Sequence, residues 1–149
     1  QIDQVAQLER LWAEEDITPN PYNPDPPTGL TTYRYLLVAS SGDQVIGHIS
    51  ADVKADDGSS NYPMGRFPKG SLFVIIEGMY VLKRWRGRGI GSRLLRTLLA
   101  RARADGLQQF FLTAVHRDMG PLTRFYVAHG FSPVGDPGPF GVTDMVLRA

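Results

Sequence analysis

Cysteine is absent from this chain of 149 residues, and so are long apolar runs. Without cysteine the chain can hold no disulfide framework, no thiolate zinc site and no cysteine nucleophile. No apolar stretch approaches the ~18–20 residues that a membrane helix needs, and no signal-peptide pattern follows Gln1. The sequence is therefore expected to encode a soluble, cytoplasmic protein that has no membrane partner.

Acidic residues are missing from the segment in which basic residues are concentrated. Residues 83–103 hold eight Lys or Arg and no Asp or Glu, whereas residues 1–57 hold ten acids and three bases. A block of this kind indicates either an anionic partner or a solvated helix face. A nucleic-acid partner is not expected, because no stacking aromatic other than Trp85 interleaves with the arginines.

The strand pattern suits one domain that spans residues 1–149. Strands are predicted, in chain order, over Tyr33–Ser40, Gln44–Val53, Leu72–Val81, Phe110–Val115, Phe131–Val134 and Val142–Leu147. The first two form an antiparallel hairpin around a tight turn. The third is almost fully apolar, which is typical of a central strand, and it breaks at Glu77-Gly78, where glycine often marks a bulge.

Helices are predicted both before and after this central strand in the sequence. One runs from Ile2 to about Asp16 and ends before a proline-rich loop over 19–27. Another carries an apolar stripe from Ile90 to about Asp105, and a short one follows Gly120-Pro121. The predicted class is mixed α/β, with helices packed on a mostly antiparallel sheet.

The glycine-rich segment before the striped helix carries the strongest functional signal. It reads Lys83-Arg-Trp-Arg-Gly-Arg-Gly-Ile-Gly-Ser92. Its glycines leave consecutive N–H groups unpaired beside the positive end of the helix dipole, which favours a phosphate or pyrophosphate. A tight turn decorated with surface arginines is the alternative. The spacing excludes both the Walker loop and the dinucleotide-binding fingerprint.

Three segments together resemble the GNAT family of N-acetyltransferases. Arg86-x-x-Gly89-x-Gly91 is similar to the family's acetyl-CoA motif, and Glu77-Gly-Met-Tyr-Val81 to the end of its fourth strand, where a bulge splays two strands apart. Phe125-Tyr126-x-x-His129-Gly130-Phe131 is similar to its C-terminal signature. The resemblance covers about residues 33–148 and implies the GNAT fold with the first strand absent.

This resemblance implies acetyl transfer from acetyl-CoA to a primary amine of a small molecule or peptide, by direct attack in a ternary complex. Tyr126 matches the general acid, a role open to a phenol with a pKa near 10. An acyl-CoA-binding module without turnover is the alternative, favoured by Met119 where the family often has asparagine. The residues implied to bind acetyl-CoA are Met79, Tyr80, Val81, Arg86, Gly87, Arg88, Gly89, Ile90, Gly91 and Ser92.

Glu77 is the candidate base that takes the proton of the amine, because it lies beside the predicted bulge. A solvent-facing charge at the strand edge and a water base are the alternatives. His116 is a further candidate base, while His48 and His129 are interpreted as structural. With no cysteine and no histidine pair at helical spacing, a metal site is not expected.

The acceptor is expected to be a cation that binds between the first helix, the 56–70 loop and the last hairpin. Asp56 and Asp57 make that loop acidic, and Tyr62 and Phe67 are expected to add aromatic walls. A missing first strand would leave an exposed sheet edge, which would allow a homodimer.

Overall fold

The computed structural model describes residues 33–115, 121–135 and 142–148. The strands are β1 Tyr35–Ser41, β2 Gln44–Ala55, β3 Leu72–Val81, β4 Gln109–Val115, β5 Ser132–Val134 and β6 Val142–Arg148. The helices are α1 Ile90–Ala104 and α2 Pro121–Ala128, and a 3₁₀ turn spans Lys83–Trp85. All six predicted strands and the two predicted helices in these ranges are confirmed. The helix predicted at 2–16 and the loop at 19–27 lie outside the described residues.

The strands form one sheet in the order β1-β2-β3-β4-β6-β5. Only the β3–β4 pairing is parallel, and α1 makes the connection between these two strands. The other pairings are antiparallel, so the mostly antiparallel sheet and both hairpins are confirmed. Neither helix in the described part of the chain is long and apolar enough to cross a membrane.

A β-bulge interrupts β3 at the predicted place. Ser50 pairs with Gly78 and Ala51 pairs with Ile76, which leaves Glu77 as the extra residue on β3. The parallel pairing of β3 with β4 ends at the same point, since its last pair is Ile76 with Leu112. Beyond that pair the two strands diverge, and the predicted splay is confirmed.

Both helices pack on one face of the sheet, where the larger core lies. Leu95 and Leu98 of α1 are fully buried against Val74 and Phe110, and burial of each such side chain contributes about 1.5–3 kcal/mol. Side chains of α2, among them Tyr126, join the same core. The helix stripe predicted from the sequence is thus the face that holds α1 to the sheet.

The 56–70 loop covers the opposite face of the sheet. Its Phe67 is buried with Phe73 and Phe111 in a second core, and the Tyr62 ring meets Phe111 edge-on at 5.7 Å. Backbone hydrogen bonds close the ends of the loop, from Asp56 N–H to Ser71 O and from Gly70 N–H to Asp56 O, at 2.9 and 2.7 Å. The loop is therefore an ordered layer of the fold.

A buried carboxylate organises this loop from inside. Asp56 Oδ1 accepts the N–H groups of Gly58 and Gly65, both at 2.8 Å, and Oδ2 accepts those of Arg66 and Phe67, both at 3.0 Å. Burial opposes the charge on Asp56, but the four backbone N–H groups outweigh it and lower the pKa of the carboxyl. The charge therefore satisfies backbone groups that would otherwise lie buried without a partner.

This arrangement corrects one expectation for the acceptor site. Asp56 is 1% exposed and its oxygens are occupied by the loop backbone, so it does not face a cationic ligand. Phe67 is 6% exposed and packs in the second core, so it does not form an aromatic wall of an acceptor site either. The local sequence does not show whether a carboxylate binds a cationic ligand or accepts hydrogen bonds from the backbone of its own loop.

Asp56→Asn is expected to lower the free energy of unfolding by roughly 2–4 kcal/mol, measured by urea denaturation at pH 7. Each carboxylate oxygen of Asp56 accepts two backbone N–H groups, and asparagine replaces one of these oxygens by an NH₂ group. Two of the four N–H groups would then lose their acceptor and face another donor. Asp57→Asn is the matched control, because Asp57 is exposed and its hydrogen-bond donors belong to Ser59 alone, with the Ser59 N–H on Oδ1, where an amide oxygen can also accept.

The contribution of the Asp56 charge is tested by comparing the wild type with Asp56→Asn at two pH values. Because folding lowers the pKa of Asp56, the stabilisation by its charge is present above the ordinary pKa of 3.8 and is lost as the pH falls through the lower folded value. The stability difference between wild type and Asp56→Asn should accordingly be smaller at pH 3 than at pH 7. An equal difference at both pH values would contradict this account.

Candidate active site

The divergence of β3 from β4 opens a cavity of about 600 Å³. Its long wall is the second half of β3, from Ile76 to Val81, and the facing wall is Leu112–Ala114 of β4. The start of α1 closes one end, and Leu122, Phe125 and Tyr126 of α2 form the roof. One cavity thus joins the glycine-rich segment to the bulge.

The glycine-rich segment turns through a conformation that favours glycine. Gly87 and Gly89 have φ angles of +76° and +80°, and Gly89 is the N-cap of α1. The first helical bond runs from Arg93 N–H to Gly89 O at 3.1 Å, so the N–H groups of 90–92 lack intrahelical partners. These N–H groups and the positive end of the helix dipole lie at the cavity and favour an anion there.

Gly91 contributes space rather than an unusual conformation. A Cβ at this position would lie 3.7 Å from the Phe125 ring and 3.9 Å from the Met79 methyl group. Those are ordinary contact distances, so a methyl group there would fill the gap between α1 and its neighbours. Glycine at 91 keeps the cavity open beside the helix N-terminus.

Two arginines of the segment are held over aromatic rings. The Arg86 guanidinium lies 5.1 Å from the Tyr80 ring centroid, and its Nε donates to Val81 O at 2.8 Å. The Arg88 guanidinium lies 4.9 Å from the Trp85 ring centroid. The first contact restricts the Arg86 cation to the end of the cavity where the N–H groups lie, and the second holds Arg88 beside Trp85, outside the cavity lining.

Tyr126 lies in the roof and is 6% exposed. Its ring packs edge-on against Phe125 and Phe131, at centroid distances of 5.2 and 5.7 Å. Burial raises the pKa of its phenol far above 10, because the phenolate would lose its hydration. The hydroxyl therefore keeps its proton at every physiological pH and can act as a donor.

Glu77 lies at the bulge, where it is exposed and borders the cavity. Partial loss of hydration raises the pKa of its carboxyl, and the negative charge of Asp52 on β2 adds to the effect. Lys54 acts in the opposite direction and does not cancel it. A carboxylate with a raised pKa is a better proton acceptor than an ordinary surface glutamate.

The structure brings nearly all of the predicted site residues to this one cavity. Glu77, Tyr126 and the predicted acetyl-CoA set line it, with the exception of Arg88, which is exposed and stacks on Trp85. Sequence reasoning missed Trp85 and Thr113, which also line it. The one available signal for Thr113 was a hydroxyl in the otherwise apolar strand Phe110–Val115.

The described histidines take no part in the cavity. His48 is fully buried on β2, and burial lowers its pKa to about 4, so its ring stays neutral. His129 Nδ1 lies 2.9 Å from Phe125 O, which ties it to its own helix. His116 and Met119 lie outside the described residues. Within the described ranges no three His, Asp or Glu side chains are grouped as a metal site requires.

Sequence comparison identifies related proteins. The model of a family described as "Acetyltransferase (GNAT) family" matches residues 3–131. N-acetyltransferase 8B of Rattus norvegicus is 30% identical over 102 residues, which are 68% of this chain and 41% of that protein. The chain thus spans well under half the length of this relative.

Structure comparison identifies similar folds. Arabidopsis thaliana Naa50 in complex with the bisubstrate analogue CoA-Ac-MVNAL has a TM-score of 0.59 at 21% identity, over 76% of this chain and 72% of that chain. PaiA N-acetyltransferase of Thermoplasma acidophilum in complex with coenzyme A has a TM-score of 0.58 at 18% identity, over 76% of this chain and 60% of that chain. The expected fold is confirmed by these likenesses.

The Glu77 carboxyl is expected to titrate above its ordinary pKa of 4.5. Its ¹³C NMR signal, identified by its loss in Glu77→Gln, gives the midpoint. Asp52→Asn should lower that midpoint because it removes a nearby negative charge, whereas Asp43→Asn at the β1–β2 turn should leave it unchanged. A midpoint at or below 4.5 would contradict the account of this site.

Proposed function

This chain belongs to the GNAT acetyltransferase family, and on that premise we propose that it transfers an acetyl group from acetyl-CoA to a primary amine. One observation carries the proposal: a single cavity joins an anion-binding helix N-terminus to a buried phenol and a carboxylate. The helix N-terminus can bind the phosphates of acetyl-CoA, and the phenol and the carboxylate can transfer the protons that acetylation of an amine requires. A module without turnover would need neither Tyr126 nor Glu77 in that cavity.

The residues at the helix end of the cavity fit the pyrophosphate of acetyl-CoA. The backbone N–H groups between Gly87 and Ser92 are available to its oxygens, and Arg86 adds a positive charge at the same place. The glycines matter here because they let the backbone approach the phosphates closely. Arg88, held over Trp85, contributes charge from outside the cavity.

The second half of β3 fits the pantetheine arm. β3 pairs with β2 on one side up to Val81, but its pairing with β4 on the other side ends at Ile76. Because backbone groups alternate in direction along a strand, those of Tyr80 pair with His48 on β2, whereas those of Met79 and the N–H of Val81 point away from β2. These groups are the ones that the amides of pantetheine can pair with in the cavity. The same geometry directs the thioester toward the bulge.

The proposed reaction is a direct attack in a ternary complex. The acceptor ammonium first loses a proton to Glu77, or to a water molecule beside it. The neutral nitrogen then forms a bond to the thioester carbonyl carbon, and a backbone N–H at the bulge stabilises the oxyanion. The C–S bond breaks and the thiolate takes a proton from Tyr126. The nitrogen loses its second proton, which passes through water to the Tyr126 phenolate and restores the phenol, while Glu77 releases the first proton to solvent. The products are an acetylated amine and CoA.

The acceptor is proposed to be a cation of a small molecule or peptide. Glu77 attracts an ammonium group, and Asp52 adds negative charge in its vicinity. The pKa of Glu77 is raised, so turnover should increase as the pH rises and Glu77 loses its proton. The pKa of Tyr126 is raised far above 10, so the phenol stays protonated and turnover should not fall near neutral pH.

Acetyl-CoA at about a hundredfold over its Kd should stabilise the chain by about 2.7 kcal/mol, seen as a rise of several degrees in thermal unfolding. The double variant Arg86→Glu and Arg88→Glu should abolish this shift because it places negative charge beside the phosphates. Arg101→Glu, at the exposed far end of α1, is the matched control and should keep it. Absence of a shift with any acyl-CoA in the wild type would overturn the proposal.

Tyr126→Phe should lower kcat by roughly 10²–10⁴-fold and leave the affinity for acetyl-CoA unchanged, measured by thiol release with a panel of primary amines. The ring contacts with Phe125 and Phe131 survive in phenylalanine, so the variant should fold. Tyr35→Phe, on the distant strand β1, controls for the loss of a phenolic hydroxyl. A Tyr126→Phe enzyme with wild-type kcat would exclude the phenol as the acid.

A further inference from the structure

A chain of hydrogen bonds links the loop on the far face of the sheet to the cavity. Tyr62 of the 56–70 loop has its hydroxyl 2.7 Å from Thr113 Oγ1, and Thr113 Oγ1 donates to Asp144 Oδ1 at 3.0 Å. Asp144 Oδ2 accepts from Arg66 of the same loop at 2.9 Å, as an ion pair. Among these residues, Thr113 is the one that lines the cavity.

The proton positions in this chain follow from counting donors. The Thr113 hydroxyl has one proton, and it is directed to the Asp144 carboxylate, which can only accept. The Tyr62 hydroxyl must then be the donor in its contact with Thr113. Thr113 Oγ1 has two lone pairs and Tyr62 occupies one, so one lone pair remains and Thr113 can accept a further hydrogen bond but cannot donate one.

Thr113 also occupies a special position in the sheet. The last pair between β3 and β4 is Ile76 with Leu112, so Glu77 and Thr113 are the first residues past it on either strand. They flank the apex of the opening, and both line the cavity. A nitrogen at this apex would have an acceptor group on each side.

We propose that Thr113 binds the acceptor nitrogen of this site and, with Glu77, selects an ammonium over an uncharged oxygen group at the same position. An ammonium can donate to Thr113 Oγ1 and to the Glu77 carboxylate at the same time. An ether or ester oxygen has no proton to donate, and a hydroxyl has only one. The inference rests on the proposed function, since it places the amine next to the thioester of bound acetyl-CoA.

A pair of CoA thioethers tests this without knowledge of the natural acceptor. S-(2-methylaminoethyl)-CoA carries an ammonium two carbons from sulfur, and S-(2-methoxyethyl)-CoA carries an ether oxygen there. Calorimetry gives the ratio of their Kd values, with the ammonium compound expected to bind more tightly to the wild type. Thr113→Val should reduce this ratio roughly three- to tenfold, the effect of one hydrogen bond, while the Kd of CoA itself stays unchanged.

Two further variants show whether the Kd ratio depends on the hydrogen bond accepted by Thr113 Oγ1 or on the packing of the side chain. Thr113→Ser keeps the hydroxyl and should keep the wild-type ratio. Tyr62→Phe should keep it too, because Thr113 still donates to Asp144 and still presents a lone pair. If valine at 113 prevents folding, Thr113→Ala also removes Oγ1 and should give the same reduced ratio.

The outcomes distinguish the two proposals. Failure of CoA and of both thioethers to bind would overturn the proposed function and this inference with it. Normal CoA binding with an equal ratio in wild type and Thr113→Val would overturn the inference alone. A ratio in Thr113→Ser or Tyr62→Phe as low as in Thr113→Val would contradict the assigned direction of the hydrogen bonds.

Discussion

The single extra residue in β3 is the constraint on which the rest of the site depends. Because Glu77 has no partner on β2, β3 shifts its register at this point, and its pairing with β4 ends one residue earlier, at Ile76. A regular sheet would have closed the space between the strands with hydrogen bonds. The bulge instead leaves backbone groups facing a cavity, and it places a carboxylate at the apex of the opening.

The two faces of the sheet divide the remaining tasks. One face carries α1 and α2, whose apolar contacts hold the helix N-terminus and Tyr126 at the cavity. The other face carries the 56–70 loop, which buried Asp56 holds in shape. Through Tyr62 and Arg66 the loop reaches Thr113 and Asp144, so both layers converge on the same opening.

Much of this arrangement could be predicted from the sequence because it rests on local patterns. The apolar run of β3, the stripe of α1 and the glycine spacing at 87–91 each depend on neighbours in the chain. Other features depend on residues far apart in the chain. The sheet places β6 between β4 and β5, and hydrogen bonds join Tyr62 to Thr113 and Arg66 to Asp144, which are 51 and 78 positions apart. No spacing rule reports such contacts. Asp56 is wrongly predicted to face a cation for a different reason: its partners are backbone N–H groups of its own loop, and the sequence does not show the loop conformation that turns them toward the carboxylate.

The closed loop of residues 56–70 has a consequence for how such a protein can diversify. Its ends meet through backbone bonds and its interior is held by one side chain, so its conformation depends little on the identity of its tip. Substitutions in the tip can therefore accumulate without disturbing the cofactor end of the cavity, which lies on other elements. Evolution, or a mutant library, can in this way vary the surface of this loop separately from the residues that line the cavity.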